Sequence, residues 1–201
     1  MNISLILAHP DPASLNHALA AAAADELRRA GHGVRVRDLH AEGFDPLLPI
    51  EEIPSAASPH AMVAEHCREI AAAEGIVIIH PNWWGMPPAI LKGWVDRVLR
   101  PGVAYRFDEG DDGEGVPVGL LRARAVVVIN TSNTPQRREQ ELFRDPLETL
   151  WKNCIFGLCG VHEFHRRMFG VVCLSTPEER VAWLTEARQL VAEVFGDGGE
   201  A

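Results

Sequence analysis

The chain has 201 residues, of which 47% are hydrophobic and 23% charged, a composition typical of globular proteins rather than disordered or fibrous ones. Its formal net charge of -9 argues against a general affinity for nucleic acid, because an acidic surface repels phosphate backbones. No run of about 18 apolar residues is present, so the sequence predicts no membrane-spanning helix.

The cysteine content and the first residues predict a reduced, cytoplasmic protein. The four cysteines are too few and too scattered for a disulfide framework. The apolar opening lacks the basic start of a signal peptide and is stopped early by His9 and Pro10. The length suits one domain over residues 1–201, with a frayed tail at 196–201.

The first part of the chain predicts a strand, a helix and a second strand. Ile3–Ala8 is apolar throughout, which is typical of a buried strand, and an alanine-rich helix follows over Asn16–Ala30 with Gly31 just past its end. Val34–Leu39 alternates with a period of two, which predicts a half-exposed edge strand. His40–Pro59 is polar and proline-rich and predicts a loop.

The middle of the chain repeats the alternation. A helix is predicted over Ala61–Ala73, and Gly75–His80 is so apolar that it indicates a central strand. Pro88–Leu99 predicts a helix with proline in its first turn. An acidic, glycine-rich loop follows at Asp108–Gly115, and Ala125–Ile129 predicts the fourth strand.

The last part completes the pattern. Glu139–Leu158 predicts a helical region interrupted by Pro146, a fifth strand lies within His162–Leu174, and Pro177–Phe195 predicts a closing amphipathic helix. Right-handed crossovers then favour an α/β fold with a doubly wound five-stranded parallel sheet of order 2-1-3-4-5 and helices on both faces.

In a sheet of this order, ligands bind beyond the carboxyl ends of strands one, three and four. Three unusual segments occupy those positions: His9–Asn16, Pro81–Pro88 and Asn130–Pro135. In the first, Ser14 and Asn16 are suited either to cradle a phosphate with the first helical turn or only to cap the helix.

The second segment carries the more specific signal. Trp83 and Trp84 stand between Pro81 and Gly85, which predicts a flat apolar wall that suits a planar heterocycle. The alternative is that both are core residues, but adjacent side chains rarely face one core. The third segment is a run of small hydrogen-bonding residues, suited to a flavin's pyrimidine edge or ribityl chain, or to an ordinary turn.

The stretch Ile79–Val98, with its Pro-Ala-Ile-Leu-Lys-Gly-Trp centre, closely resembles the signature of the NAD(P)H:quinone oxidoreductase family, also called flavodoxin-like fold family 2. The loop with His9, Ser14 and Asn16 also resembles that family's opening, and the resemblance covers nearly the whole chain. It implies a flavodoxin-like fold, FAD or in some members FMN, NAD(P)H as co-substrate, ping-pong hydride transfer to a quinone-like acceptor, and a homodimer.

The resemblance also assigns residues to the flavin. The first loop would face its phosphate and ribityl chain, the second would run along the isoalloxazine ring with backbone N–H groups toward N5, and the third would hold the pyrimidine end. The assigned residues are His9, Ser14, Leu15, Asn16, Pro81, Asn82, Trp83, Trp84, Gly85, Thr131, Ser132 and Asn133.

One feature departs from the family. Where well-studied members have glycines followed by a Tyr and a His that stabilise the reduced flavin, this chain has Asn133–Pro135, and its only tyrosine is Tyr105. We therefore assign no catalytic side chain. The flavin itself carries the hydride chemistry, so activity does not require that pair.

Two other functions fit parts of the sequence. A zinc-dependent hydrolase would use His9 and Asp11, a start that resembles the N-acetylglucosaminyl deacetylase family, with a further ligand from His162 or His165. A non-enzymatic electron carrier or regulatory subunit would share the fold, because fold does not fix function. We interpret Arg97, Arg100 and Arg106 as an exposed helix face and its following loop rather than as a nicotinamide phosphate site.

Overall fold

A computed structural model describes residues 1–53, 58–108 and 115–196. Its strands are β1 (Asn2–Leu7), β2 (Gly33–Asp38), β3 (Gly75–Pro81), β4 (Tyr105–Arg106), β5 (Val118–Gly119), β6 (Ala125–Thr131) and β7 (Glu163–Phe169). Its α-helices are α1 (Leu15–Arg29), α2 (Ala61–Ala72), α3 (Ala89–Val98), α4 (Gln136–Glu141), α5 (Pro146–Glu148) and α6 (Pro177–Phe195). A π-helical segment covers Thr149–Gly157, and short 3-10 helices cover Ile50–Glu52 and Val172–Leu174.

The main sheet confirms the predicted topology. Its five strands run parallel in the spatial order β2-β1-β3-β6-β7, which is the predicted order 2-1-3-4-5 when only these strands are numbered. β2 lies at an edge and β3 at the centre, as their hydrophobic patterns predict. None of the helices in the described ranges is long and apolar enough to cross a membrane.

Helices cover both faces of the sheet because its central strands are apolar on both sides. Ile76 and Ile78 of β3 pack with α2, α3 and the π-helical segment, whereas Val77 and Ile79 pack with α1 and α6. This double burial explains why β3 shows a continuous apolar run rather than alternation. It also places the carboxyl ends of β1, β3 and β6 at one edge of the molecule.

The region around Pro146 differs from the prediction. Pro146 begins α5 instead of interrupting a helix, a position where proline costs no backbone hydrogen bond. The break precedes it, where Arg144 and Asp145 adopt left-handed φ angles of 63° and 48°. The antiparallel pair β4–β5 was not predicted either, since two-residue strands are too short to show a period.

The interpretation of Arg97 and Arg100 as exposed is wrong. Their exposed fractions are only 5% and 7%, because the loop after β2 folds over α3. Glu52 of that loop pairs with Arg97 at 2.6 Å. The contact is close enough that a Cβ added to Gly93 of α3 would lie 2.2 Å from the carbonyl oxygen of Pro46.

Of the predicted acidic loop at 108–115 only its two end residues are described, and the tail beyond Gly196 lies outside the described residues.

Candidate functional site

Hydrogen bonds join the three predicted loops at the carboxyl edge of the sheet. The Asn16 side-chain amide donates to Thr131 Oγ1 at 3.0 Å, and both residues are buried, with exposed fractions of 2% and 5%. The backbone N–H of Asn82 donates to the carbonyl oxygen of Thr131 at 2.6 Å. Thr131 therefore fixes the first and second loops to the end of β6.

In the first loop, Ser14 is the N-cap of α1, where its side chain accepts from the backbone N–H of His17. Leu15 packs its half-buried side chain against the core beneath α1. His9 Nδ1 accepts from the backbone N–H of Asp11 at 3.1 Å, and its ring centroid lies 6.2 Å from that of Trp83. Burial lowers the pKa of His9, so this imidazole is mainly neutral near pH 7.

The second loop is a tight turn that presents an indole to solvent. Trp83 and Met86 exchange two backbone hydrogen bonds of 3.0 Å. The two central residues have left-handed φ angles, 59° at Trp84 and 71° at Gly85, as in a type I′ turn. Such a conformation is uncommon for tryptophan, and its side chain is fully exposed. A strained, exposed aromatic residue at a strand end is typical of a functional surface.

The turn uses most of its own backbone donors. Asn82 donates to Thr131, Trp83 donates to Met86, and Gly85 donates to Asn82 Oδ1 at 2.9 Å. Among the described residues, no acceptor pairs with the N–H of Trp84. Of the loop amides predicted to reach a flavin, Trp84 therefore supplies the one that is left for a ligand.

The remaining predicted polar residues mainly shape their own loops. Asn82 Nδ2 donates to Glu139 Oε1 of α4 at 2.9 Å. Ser132 Oγ accepts from the backbone N–H of Thr134 at 3.0 Å, and Asn133 Oδ1 accepts from that of Cys173 at 2.9 Å. The side-chain oxygens of Ser132 and Asn133 are thus already engaged in closing the third loop.

His80 lies directly beneath the site and was not among the predicted residues. It is fully buried, its Nδ1–H donates to the carbonyl oxygen of Pro81 at 2.8 Å, and its Nε2 accepts from Trp151 Nε1 at 3.0 Å. Desolvation by burial lowers the pKa of His80 to about 4. A lone histidine ending an apolar strand was the only signal for it in the sequence.

The low pKa of His80 predicts a loss of stability in mild acid. The unfolded chain binds a proton near pH 6.5 but the folded chain only near pH 4, so acid favours unfolding, by about 3 kcal/mol across this interval. Urea unfolding at several pH values measures this. His80→Gln should flatten the profile, leaving the parts due to His9 and His66, whose pKa values burial also lowers. An equally steep profile in the variant would contradict the assignment.

The polar groups at this edge fit a planar heterocycle with polar edges and a phosphate. The indole of Trp84 offers a flat face, and the backbone N–H of Trp84 has no acceptor among the described residues. The start of α1 presents further backbone N–H groups. The Nδ2 group of Asn130, buried at the end of β6, has no hydrogen-bond partner in the described residues. A flavin has this combination of flat ring, polar edge and anionic tail.

The residues proposed for a zinc site do not meet. His165 is in the first half of β7 and His162 precedes that strand, whereas His9 follows the carboxyl end of β1. In a parallel sheet these positions lie at opposite edges. Within the described ranges no group of three His, Cys, Asp or Glu side chains is arranged to hold a metal ion.

Comparison with known proteins decides the family. The family model for the flavodoxin-like fold, flavodoxin family 2, matches residues 1–191. The chain belongs to this family. The flavodoxin-like fold and the NAD(P)H:quinone oxidoreductase resemblance drawn from the sequence are thereby confirmed.

Two relatives match almost all of the chain. An uncharacterized NAD(P)H oxidoreductase of Haemophilus influenzae is 32% identical over 194 residues, 94% of this chain and 93% of its own length. A ribosyldihydronicotinamide dehydrogenase [quinone] of Mus musculus is 31% identical over 216 residues, 96% of this chain and 91% of its own.

Two solved structures share the fold. An NAD(P)H:quinone oxidoreductase from Methanothermobacter marburgensis has a TM-score of 0.81 at 24% identity, covering 98% of both chains. An FMN-dependent NADH-azoreductase from Bacillus anthracis, in complex with FMN, has a TM-score of 0.76 at 16% identity, covering 96% of this chain and 99% of its own. At these identities they show the fold alone.

Proposed function

We propose that this chain is a flavin-dependent NAD(P)H oxidoreductase that passes hydride to a quinone-like acceptor by a ping-pong mechanism. The observation that carries the proposal is the Trp83–Met86 turn at the edge where Asn16 and Thr131 meet, with the exposed indole of Trp84 and a Trp84 backbone N–H that no acceptor of the described residues engages. The names of the two relatives above, an NAD(P)H oxidoreductase and a quinone dehydrogenase, support it.

When bound, the flavin would supply the hydride chemistry, so the chain's own residues need only bind, orient and exclude water. The first turn of α1, with His9, Ser14 and Asn16, would hold the phosphate and the ribityl chain. Trp83 and Trp84 would form the wall beside the ring, with the Trp84 N–H on its polar edge. The third loop, with Thr131, Ser132 and Asn133, would border the pyrimidine end, while the side-chain oxygens of Ser132 and Asn133 hold the loop in shape.

In a single chain, the proposed flavin site is a solvent-exposed surface rather than a closed pocket. Trp84 is fully exposed, and Trp83 and Met86 keep exposed fractions of 45% and 44%. Since flavin pockets exclude water during hydride transfer, a second protein surface is needed to cover this exposed site. This need supports the homodimer implied by the family resemblance, with its site at the subunit interface.

A single domain over 1–201 and a cytoplasmic location, which the absence of disulfides favours, also stay predictions.

An absorbance spectrum of the purified protein tests the proposed function. We expect visible flavin bands that bleach on addition of NADPH or NADH and return with a quinone. Release of the cofactor by denaturation distinguishes FAD, which the resemblance favours, from FMN, the ligand of the Bacillus anthracis structure. A protein that stays colourless after incubation with both flavins would refute the proposal.

Oxidation of NADH with and without quinone separates an enzyme from an electron carrier. Sustained turnover that requires the quinone is expected for the enzyme, whereas a carrier would oxidise NADH in little more than stoichiometric amounts. Quinones, azo compounds and nitro compounds compared in the same assay would identify the preferred acceptor.

A further inference from the structure

A chain of hydrogen bonds connects Ser14, His17 and Asp38 at the start of α1. Ser14 Oγ lies 2.9 Å from His17 Nδ1, and His17 Nε2 lies 2.9 Å from Asp38 Oδ2. The side chains of His17 and Asp38 are mostly buried, with exposed fractions of 18% and 24%. His17 was not among the predicted site residues, and its link to Asp38 depends on the neighbouring positions of β1 and β2.

Asp38 determines which imidazole nitrogen carries the proton. An ionised carboxylate only accepts hydrogen bonds, so His17 Nε2 must donate to it. In the neutral imidazole, Nδ1 is then an acceptor, and the hydroxyl of Ser14 donates to it. The single proton of Ser14 is thereby committed to His17, and Ser14 presents only lone pairs to an anion bound at this loop.

Protonation of His17 reverses this arrangement. Nδ1–H then donates to Ser14 Oγ, which frees the hydroxyl proton for an anionic oxygen, and the imidazolium adds a positive charge close to the first turn of α1. A hydroxyl that donates and a nearby cation both favour a phosphate, whereas a hydroxyl that only accepts repels it.

We propose that His17 controls whether Ser14 donates a hydrogen bond, and that this makes the affinity of the loop for the phosphate of a flavin increase as the pH falls. The proposal rests on the proposed flavin site and deepens it, because His17 and Asp38 become positioning residues for the phosphate. The flavin ring, which binds at the second and third loops, is not affected by this switch.

Other titratable groups face His17 and are included in the argument. Asp38, at the end of β2, accepts a hydrogen bond from His17 Nε2. His9, in the loop after β1, has its ring centroid 6.4 Å from that of His17 and opposes the imidazolium when charged. Burial lowers the pKa of His9, and the charges of Asp11 and His40 act on it in opposite directions. Asp38 is the carboxylate in hydrogen-bond contact with His17, at 2.9 Å.

The experiment titrates the flavin-free chain with FAD, FMN and riboflavin at about pH 5.5 and about pH 8. Affinity is read from the quenching of flavin fluorescence, which does not depend on enzyme activity. For FAD we expect binding on the order of tenfold tighter at the lower pH, as for one charge-assisted hydrogen bond. Riboflavin has no phosphate, so its affinity should be the same at both pH values.

Three variants distinguish the switch from a general effect of pH. His17→Gln has no titratable group and should lose the pH dependence, whereas the matched control His40→Gln should keep it. Asp38→Asn should weaken the pH dependence, since an amide can both donate and accept and no longer determines which imidazole nitrogen of His17 carries the proton. FMN ionises near pH 6, so the wild type and the variants are compared with the same ligand.

The outcomes separate the two proposals. If His17→Gln keeps the full pH dependence, or riboflavin shows the same dependence as FAD, the role of His17 is overturned while the flavin site stands. If the wild-type protein binds none of the three flavins at either pH, the proposed function is overturned, and the role of His17 with it.

Discussion

Gly85→Ala is expected to lower kcat/KM for quinone reduction by about 100-fold, the cost of displacing a reacting group by about 1 Å. An added Cβ would lie 2.8 Å from Cγ of Pro146, a rigid ring at the start of α5. The loop that carries Trp84 must therefore move away from Pro146. Flavin affinity, measured by fluorescence titration, should weaken in the same variant.

Gly43→Ala is the matched control for this substitution. Gly43 has a left-handed φ of 63°, close to the 71° of Gly85, but no heavy atom of the described residues lies within 4 Å of its added Cβ. Both variants should lose about 1–2 kcal/mol of unfolding free energy from the left-handed backbone alone. Equal kcat/KM values in the two variants would show that the Gly85 turn does not position the site.

Glu52→Gln is expected to lower the free energy of unfolding by about 3–5 kcal/mol, since it removes the buried carboxylate that pairs with the Arg97 guanidinium and leaves only the exposed Asp45, at 3.8 Å. Arg97 donates from Nη2 to Glu52 Oε1 at 2.6 Å and from Nε to Oε2 at 3.1 Å. Arg100 Nη2 also donates to the carbonyl oxygen of Glu52 at 3.1 Å. Urea unfolding at pH 7 measures the loss.

Asp96→Asn provides the control, because the Lys92–Asp96 pair on the same helix is exposed and should contribute less than about 1 kcal/mol. The pair with Arg97 lowers the pKa of Glu52, so its stabilisation is present above pH 4.5 and is lost as the pH falls through the lower folded-state value. The pH range over which this stabilisation is lost lies mainly below the range over which His80 destabilises the folded chain. If Glu52→Gln lowers the free energy of unfolding by no more than Asp96→Asn does, the stabilising role of the buried Glu52–Arg97 pair is contradicted.

The sequence alone determined the architecture and the three loops that meet at the carboxyl edge of the sheet. Strands such as β3, which are covered by helices on both faces, must be apolar at every position, so they are visible as continuous hydrophobic runs. α6 was predicted with the bounds it has, because Thr176 and Pro177 provide a local start signal. The turn residues at Pro81–Pro88 also act locally, which is why this segment stood out.

Only the tertiary structure decided the roles of several polar side chains. His80 and Trp151 are 71 residues apart in sequence, and Asn16 and Thr131 are 115 apart, yet each pair shares a buried hydrogen bond. Arg97 is buried only because a distant loop brings Glu52 onto it. A local sequence pattern indicates the secondary structure of a segment and which of its side chains are buried. The hydrogen-bond partner of a buried polar side chain depends instead on which distant segment packs against it.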